Sequence, residues 1–148
     1  MNEFELTVDI DRPVEDVWAF MEDYSRYPEW TPGVTEARKT SEGEMGVGST
    51  VTFVGRTLGR RYESLSECTA YERNRHFATR SISGPFHLEV DNRFEPTEGG
   101  TRLISKFRGE SRGFLKIAEP MAVRVTRKNF EAANENMKAL LEAVPVSA

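Results

Sequence analysis

The segment EFELTVDIDRPVEDVW, residues 3–18, changes its hydrophobic period halfway along. Phe4, Leu6, Val8 and Ile10 alternate with Glu3, Glu5, Thr7 and Asp9, the pattern of a strand buried on one face only. From Pro13 onward, Val14, Val17, Trp18 and Met21 recur at helical spacing, with Glu15 and Asp16 in the first turn, where the helix dipole favours acids. Asp11 is the expected N-cap, and Pro13 suits a first turn because it has no amide hydrogen to leave unpaired. This helix is expected to end near Asp23. It then runs into Tyr24, Tyr27, Pro28, Trp30 and Pro32, rings large enough to plug the end of a sheet or to cover an entrance.

Downstream, short alternating runs at 34–40, 49–56, 60–72, 75–83, 86–95 and 101–109 are separated by SEGEMGVGS, TLGR, ERNR, SGP and PTEGG. Six successive strands joined by turn-formers predict antiparallel neighbours, most simply a meander. After Ser111 the period changes again. Phe114, Ile117, Ala118, Met121 and Val125, then Phe130, Ala133, Met137, Leu140, Leu141 and Val144, fall mostly three and four apart, predicting a long amphipathic helix with a frayed PVSA end. Pro120 should either kink it or mark its start after a separate turn. Such a helix gains most of its stability by laying its apolar stripe on the sheet.

The chain has 148 residues, enough for one domain with a substantial core, and we expect 1–148 to form a single one. With 24 acidic and 20 basic residues and a net charge of −4, it has no domain-wide basic excess, which argues against nucleic acid as a partner. No apolar run suggests a secretion signal or an integral membrane association, and a cytoplasmic location is the expectation. The single cysteine, Cys68, excludes an internal disulfide and reads as a buried core thiol, and the two histidines show no metal spacing, so neither a metal nor a cofactor is expected.

The order of elements and a set of short motifs resemble the START-like, or Bet v 1-like, helix-grip superfamily of polyketide cyclase/dehydrase and lipid-transport-like proteins. The resemblance rests on IDRPVEDVW, Asp23, Tyr27-Pro28, the run from Trp30 to Val34, Gly46-Val47-Gly48, Gly99-Gly100-Thr101 after Phe94-Glu95-Pro96, and the closing helix with Asn136, Lys138, Leu140 and Leu141. It covers essentially the whole chain. The resemblance implies an α+β helix-grip fold: a seven-stranded curved antiparallel sheet wrapped around a long C-terminal α-helix, with one or two short helices between strands 1 and 2, enclosing an apolar cavity.

Alternation indicates which residues would face such a cavity. In 86–94 the inward set is Phe86, Leu88, Val90, Asn92 and Phe94, against His87, Glu89, Asp91 and Arg93 outside. In 101–107 it is Thr101, Leu103, Ser105 and Phe107, and in 76–83 it is Phe77, Thr79, Ser81 and Ser83. The run 60–72 is ambiguous, because Tyr62, Cys68 and Ala70 favour one face while Leu65 and Tyr71 favour the other. The candidate ligand-binding lining is therefore Tyr62, Phe77, Thr79, Phe86, Leu88 and Val90, with Asn92, Ser105 and Phe107. Trp30 and Phe53 join it from the first half of the chain, and Met121 and Val125 from the long helix. These faces mix apolar groups with hydroxyls and an amide, and a dry void of ~500 Å³ would cost on the order of 12 kcal/mol, so water or a ligand is expected inside. A packed core with those groups bonded to neighbouring backbone is the alternative.

No nucleophile triad, phosphate loop or carboxylate pair is apparent, and no catalytic residue is assigned. His76 and His87 are expected at the surface, and Glu63 and Glu67 outside. Arg61 is the arginine with a possible reach to an acidic head group. The resulting expectation is binding of a hydrophobic or amphipathic small molecule, such as a lipid, polyketide or quinone-like compound. A cyclase/dehydratase that positions a chain, with Tyr62 and Asn92 polarising carbonyls, is a second reading. A chaperone-cofactor-like interaction protein using the outer face is a third. A homodimer is left open.

Overall fold

The computed structural model describes residues 2–57, 59–111 and 119–143. Strand β1 (Asn2–Ile10) is followed by helix α1 (Val14–Glu22), a single 3-10 turn (Tyr24–Arg26) and helix α2 (Tyr27–Trp30). Strands β2 (Val34–Lys39), β3 (Thr50–Thr57), β4 (Arg60–Glu72), β5 (His76–Ser83), β6 (Phe86–Pro96) and β7 (Thr101–Ser111) come next, and helix α3 (Glu119–Glu142) closes the chain. The strand order is β1-β7-β6-β5-β4-β3-β2, with every pair antiparallel. The expected meander therefore runs from β2 to β7, and β1 is laid along β7. Pro120 falls in the first turn of α3, where its missing amide costs nothing. Phe114, Ile117, Ala118, Val144 and the PVSA end lie outside the described residues.

The strand facings follow the alternation except at three register slips, one in β2 between Val34 and Glu36 and two between β4 and β5. Between Cys68 and Ala70 the β4–β5 register slips by one residue, so Thr69 and Ala70 both lie opposite Ala78. This bulge turns Tyr71 inward to pair with Phe77, and it explains why no single alternation fits 60–72. A second slip, where Leu65 pairs with Ser83 and Ser66 with Ser81, places Ile82 and Ser83 outside. The inward reading of Ser83 is thereby corrected, and both residues are exposed.

The core gathers where α1 crosses beneath α3. Val17, Trp18 and Met137 are almost wholly buried, with Ile10, Phe94 and Leu103 beside them. The Trp18 ring lies 5.4, 5.5 and 5.1 Å from the rings of Tyr71, Phe77 and Phe94. Asp11 does not cap α1. Pro13 occupies that position without a side-chain cap, and the Asp11 amide instead donates to Glu142 Oε2 at 2.9 Å. The residues between strand and helix are committed elsewhere: Arg12 donates to Asp11 O at 2.6 Å and to Glu142 O at 3.0 Å, while Thr101 Oγ1 donates to Arg12 O at 2.8 Å. Lys138 Nζ reaches Asp9 O and Glu142 Oε2, so the C-terminal end of α3 is tied to the end of β1.

Candidate ligand cavity

Between the concave face of the sheet and α3 lies an inner chamber of about 190 Å³. A second compartment of about 130 Å³, the vestibule, adjoins it beside the first turns of α3 and the loop Thr31–Gly33. Tyr62, Phe86, Phe107 and Phe130 border both compartments. Phe107 and Phe130 are 4.3 Å apart between ring centroids, and Tyr62 meets Phe86 edge-on at 6.2 Å. The constriction is thus built from β4, β6, β7 and α3 at once.

Two glycines let the loop Thr31–Gly33, which lines the vestibule, approach the sheet closely. Gly55 pairs with Tyr62 on the inner face, and a Cβ there would lie 2.1 Å from Gly33 O and 2.9 Å from the Tyr62 hydroxyl. Gly33, with φ of 86°, takes the left-handed turn that brings the loop down, and its carbonyl accepts from the Arg56 amide at 2.7 Å. The aromatic cluster after α1 forms the chamber wall at this side. Tyr27 lies 5.6 Å from Phe53 and 4.9 Å from Trp30, Trp30 is buried, and Pro32 lines the vestibule. The cluster both packs the sheet end and borders the opening.

Eleven of the thirteen expected lining residues border the chamber: Trp30, Phe53, Tyr62, Phe77, Thr79 and Phe86, together with Leu88, Val90, Asn92, Ser105 and Phe107. Met121 and Val125 do not. Met121 is exposed, and Val125 is half-buried but borders neither compartment. One residue is 100° of helix rotation, and the inward line of α3 runs through Ala122, Thr126, Phe130 and Ala133 instead. Tyr24, from the aromatic cluster, and Ala133, from the helical stripe, also border the chamber, as does Met45, which no sequence pattern singled out. Ser64, Ser66 and Cys68 join it once the β4 bulge has settled which face is inward. The arginine at the vestibule is Arg56, whereas Arg61 lies on the outer face beside Glu63 at 3.9 Å.

The polar groups inside divide into two kinds. The Ser81 hydroxyl is used up by the Leu88 backbone, at 3.3 Å from N and 3.4 Å from O. Asn92 and Ser105 are buried and face each other across the β6–β7 ladder, where Ser105 Oγ donates to Asn92 Oδ1 at 2.7 Å. That bond engages the amide oxygen and leaves the two Nδ2 hydrogens as the donors the amide still has to offer. Trp30 Nε1 and Thr31 Oγ1 are buried without a hydrogen-bond partner among the described residues. Burial raises the pKa values of Tyr24, Tyr27 and Tyr62 and of the Cys68 thiol, so all four are neutral at physiological pH. Cys68 Sγ also approaches Ala70 O at 3.2 Å, as a structural thiol does.

On the outer face, His76 is better covered than expected. Its Nε2 lies 2.8 Å from Asp91 Oδ2, and only 16% of its side chain is exposed. Glu67 pairs with Arg80 at 3.2 Å, outside the cavity as expected. Among the described residues no three His, Cys, Asp or Glu side chains are grouped to hold a metal. No described helix is long and apolar enough to cross a membrane.

A family model described as polyketide cyclase/dehydrase and lipid transport matches residues 1–142. The chain belongs to this family. Solved structures share its architecture at low identity. The Zhui aromatase/cyclase from Streptomyces sp. R1128 is 19% identical with a TM-score of 0.81, covering 95% of this chain and 93% of its own. A START superfamily protein from Mycobacterium smegmatis is 16% identical with the same TM-score, covering 97% and 99%. A protein from Thermus thermophilus is 18% identical, again at 0.81, covering 96% and 98%. No curated protein matches the chain. At these identities the neighbours establish the helix-grip fold, and the family description spans both lipid transport and cyclase chemistry.

Proposed function

We propose that this family member binds a hydrophobic or amphipathic small molecule in the chamber between the sheet and α3. The supporting observation is a space between sheet and helix lined by aromatic and aliphatic side chains, with a second compartment adjoining it. At about 24 cal/mol per Å³, an empty chamber of 190 Å³ would cost ~5 kcal/mol, comparable with the low end of a domain's whole stability. Retaining it is consistent with use rather than with packing. Native mass spectrometry after gentle purification should find a co-purifying compound, released by solvent extraction. A bare protein that also takes up no apolar probe would remove the reading.

A cyclase/dehydratase role is the second reading, favoured by the Tyr62 phenol, kept protonated by burial at the constriction, and by the Asn92 amide further in. Both are donors to a carbonyl, and positioning a chain supplies much of a cyclisation barrier. Under this reading Tyr62→Phe with Asn92→Leu abolishes turnover of a polyketone while binding persists. Unchanged turnover in the double variant would end it.

A further inference from the structure

None of the described residues bordering the inner chamber is Asp, Glu, Lys, Arg or His. Its titratable side chains are Tyr24, Tyr27, Tyr62 and Cys68, all shifted upward by burial and hence uncharged. Glu22, an acid outside this lining, accepts a hydrogen bond from the Tyr71 hydroxyl. An ion entering the chamber would therefore lose its hydration with no counter-charge to replace it. Polar recognition remains available: the hydroxyls of Thr31, Ser64, Ser66 and Thr79 can donate or accept, while Asn92 and Trp30 present donors. The Asn92 carbonyl oxygen is occupied by Ser105, so the amide offers Nδ2 as a donor, and Trp30 Nε1, with no partner of its own among the described residues, can only donate.

We infer that the chamber's ligand is an uncharged molecule carrying a carbonyl-type oxygen, which accepts a hydrogen bond from Asn92 Nδ2. This rests on the small-molecule reading and narrows it. A fatty-acid or phosphate anion is admitted only if its charge stays outside the chamber. A ligand without an acceptor fills the space but leaves the Asn92 donor unpaired, which is the arrangement by which a site rejects an analogue lacking the group it was built to hold.

Three probes of similar size separate these terms: naphthalene, 2-acetylnaphthalene and 2-naphthoate, measured by calorimetry at pH 7. In the wild-type protein the ketone should bind about five- to ten-fold more tightly than naphthalene, and at least about ten-fold more tightly than the naphthoate anion. In Asn92→Leu the ratio of ketone to naphthalene affinity should fall to about one, and Ser105→Ala should give an intermediate ratio. A second measurement needs only the wild-type chain: near pH 6, buffers of different ionisation enthalpy should show 2-naphthoate taking up a proton as it binds, because only the neutral acid is accepted. Naphthoate binding as tightly as the ketone without proton uptake, or a ketone preference that survives Asn92→Leu, overturns the inference. Naphthalene binding with no preference for the ketone removes this inference alone, whereas a protein that binds none of the three loses the small-molecule reading as well.

Discussion

The Asn92 and Ser105 side chains show what single residues reveal in sequence. Alternation places both on the inner face, and the structure pairs them there at 2.7 Å. Asp11 and His76 show the limit, because their partners, Glu142 and Asp91, are 131 and 15 residues away and no local pattern announces them. Arg12 is another case. It is nine-tenths buried and donates to the Glu142 carbonyl at the end of α3, where a cation also complements the helix dipole. Arg12→Ala should cost about 2 kcal/mol in urea unfolding, while Arg12→Lys, with one donor group in place of a fork, should recover only part of this. A loss under about 0.5 kcal/mol would mean the network is ornamental. Gly55 is the most constrained position near the vestibule. Gly55→Val drives a side chain into Gly33 O, and it should destabilise the fold by about 2 kcal/mol or more and open the loop Thr31–Gly33 to rapid amide exchange. Unchanged exchange in that loop would contradict the close approach.

Among the elements, the seven strands are legible almost to their ends because turn-formers bound them and all but β4 carry a readable alternation. What one strand cannot reveal is the bulge at Thr69–Ala70, since an extra residue shows only against the partner strand. The phase of α3 differs from the sequence reading by one residue at Met121 for a related reason: a wide apolar stripe does not say which part of it faces the cavity. Met121→Gln should accordingly leave stability within about 0.5 kcal/mol, whereas Met137→Ala, at a fully buried position of the same helix, should cost about 2–5 kcal/mol. Equal effects would place the helix in another rotation. The end of α3 also has a pH signature. The hydrogen bond from Lys138 lowers the Glu142 pKa, and that from Arg102 lowers the Asp9 pKa. Carboxylates with depressed folded-state values stabilise the fold above their ordinary range near about 4 and lose that contribution as pH falls through the folded-state value. Stability measured from pH 6 to pH 2.5 should thus decline on the acid side, with a shallower decline in Glu142→Gln; an identical profile in the variant would show that the contact is not made in solution.

At the scale of the whole molecule, the helix-grip architecture follows from an ordering of elements that sequence displays plainly. The chamber's volume does not, because it depends on rotamers at Tyr62, Phe107 and Phe130 and on how far two glycines let a loop descend. Ten lining residues are readable because facing along a strand is a period-two property, and Trp30 from its place in the aromatic cluster, while the division into vestibule and chamber depends on contacts between distant elements. The central claim is that the chamber is a binding site for an uncharged small molecule. The most direct test compares the melting temperature of the wild-type protein and of Ser105→Phe, which fills the chamber, with and without 2-acetylnaphthalene. A ligand held at about 100 times its Kd stabilises by about 2.7 kcal/mol, or roughly 5–10 °C for a domain of this size. The account predicts a rise of that order in the wild-type protein and none in Ser105→Phe. No rise in the wild type, or the same rise in both, would contradict it.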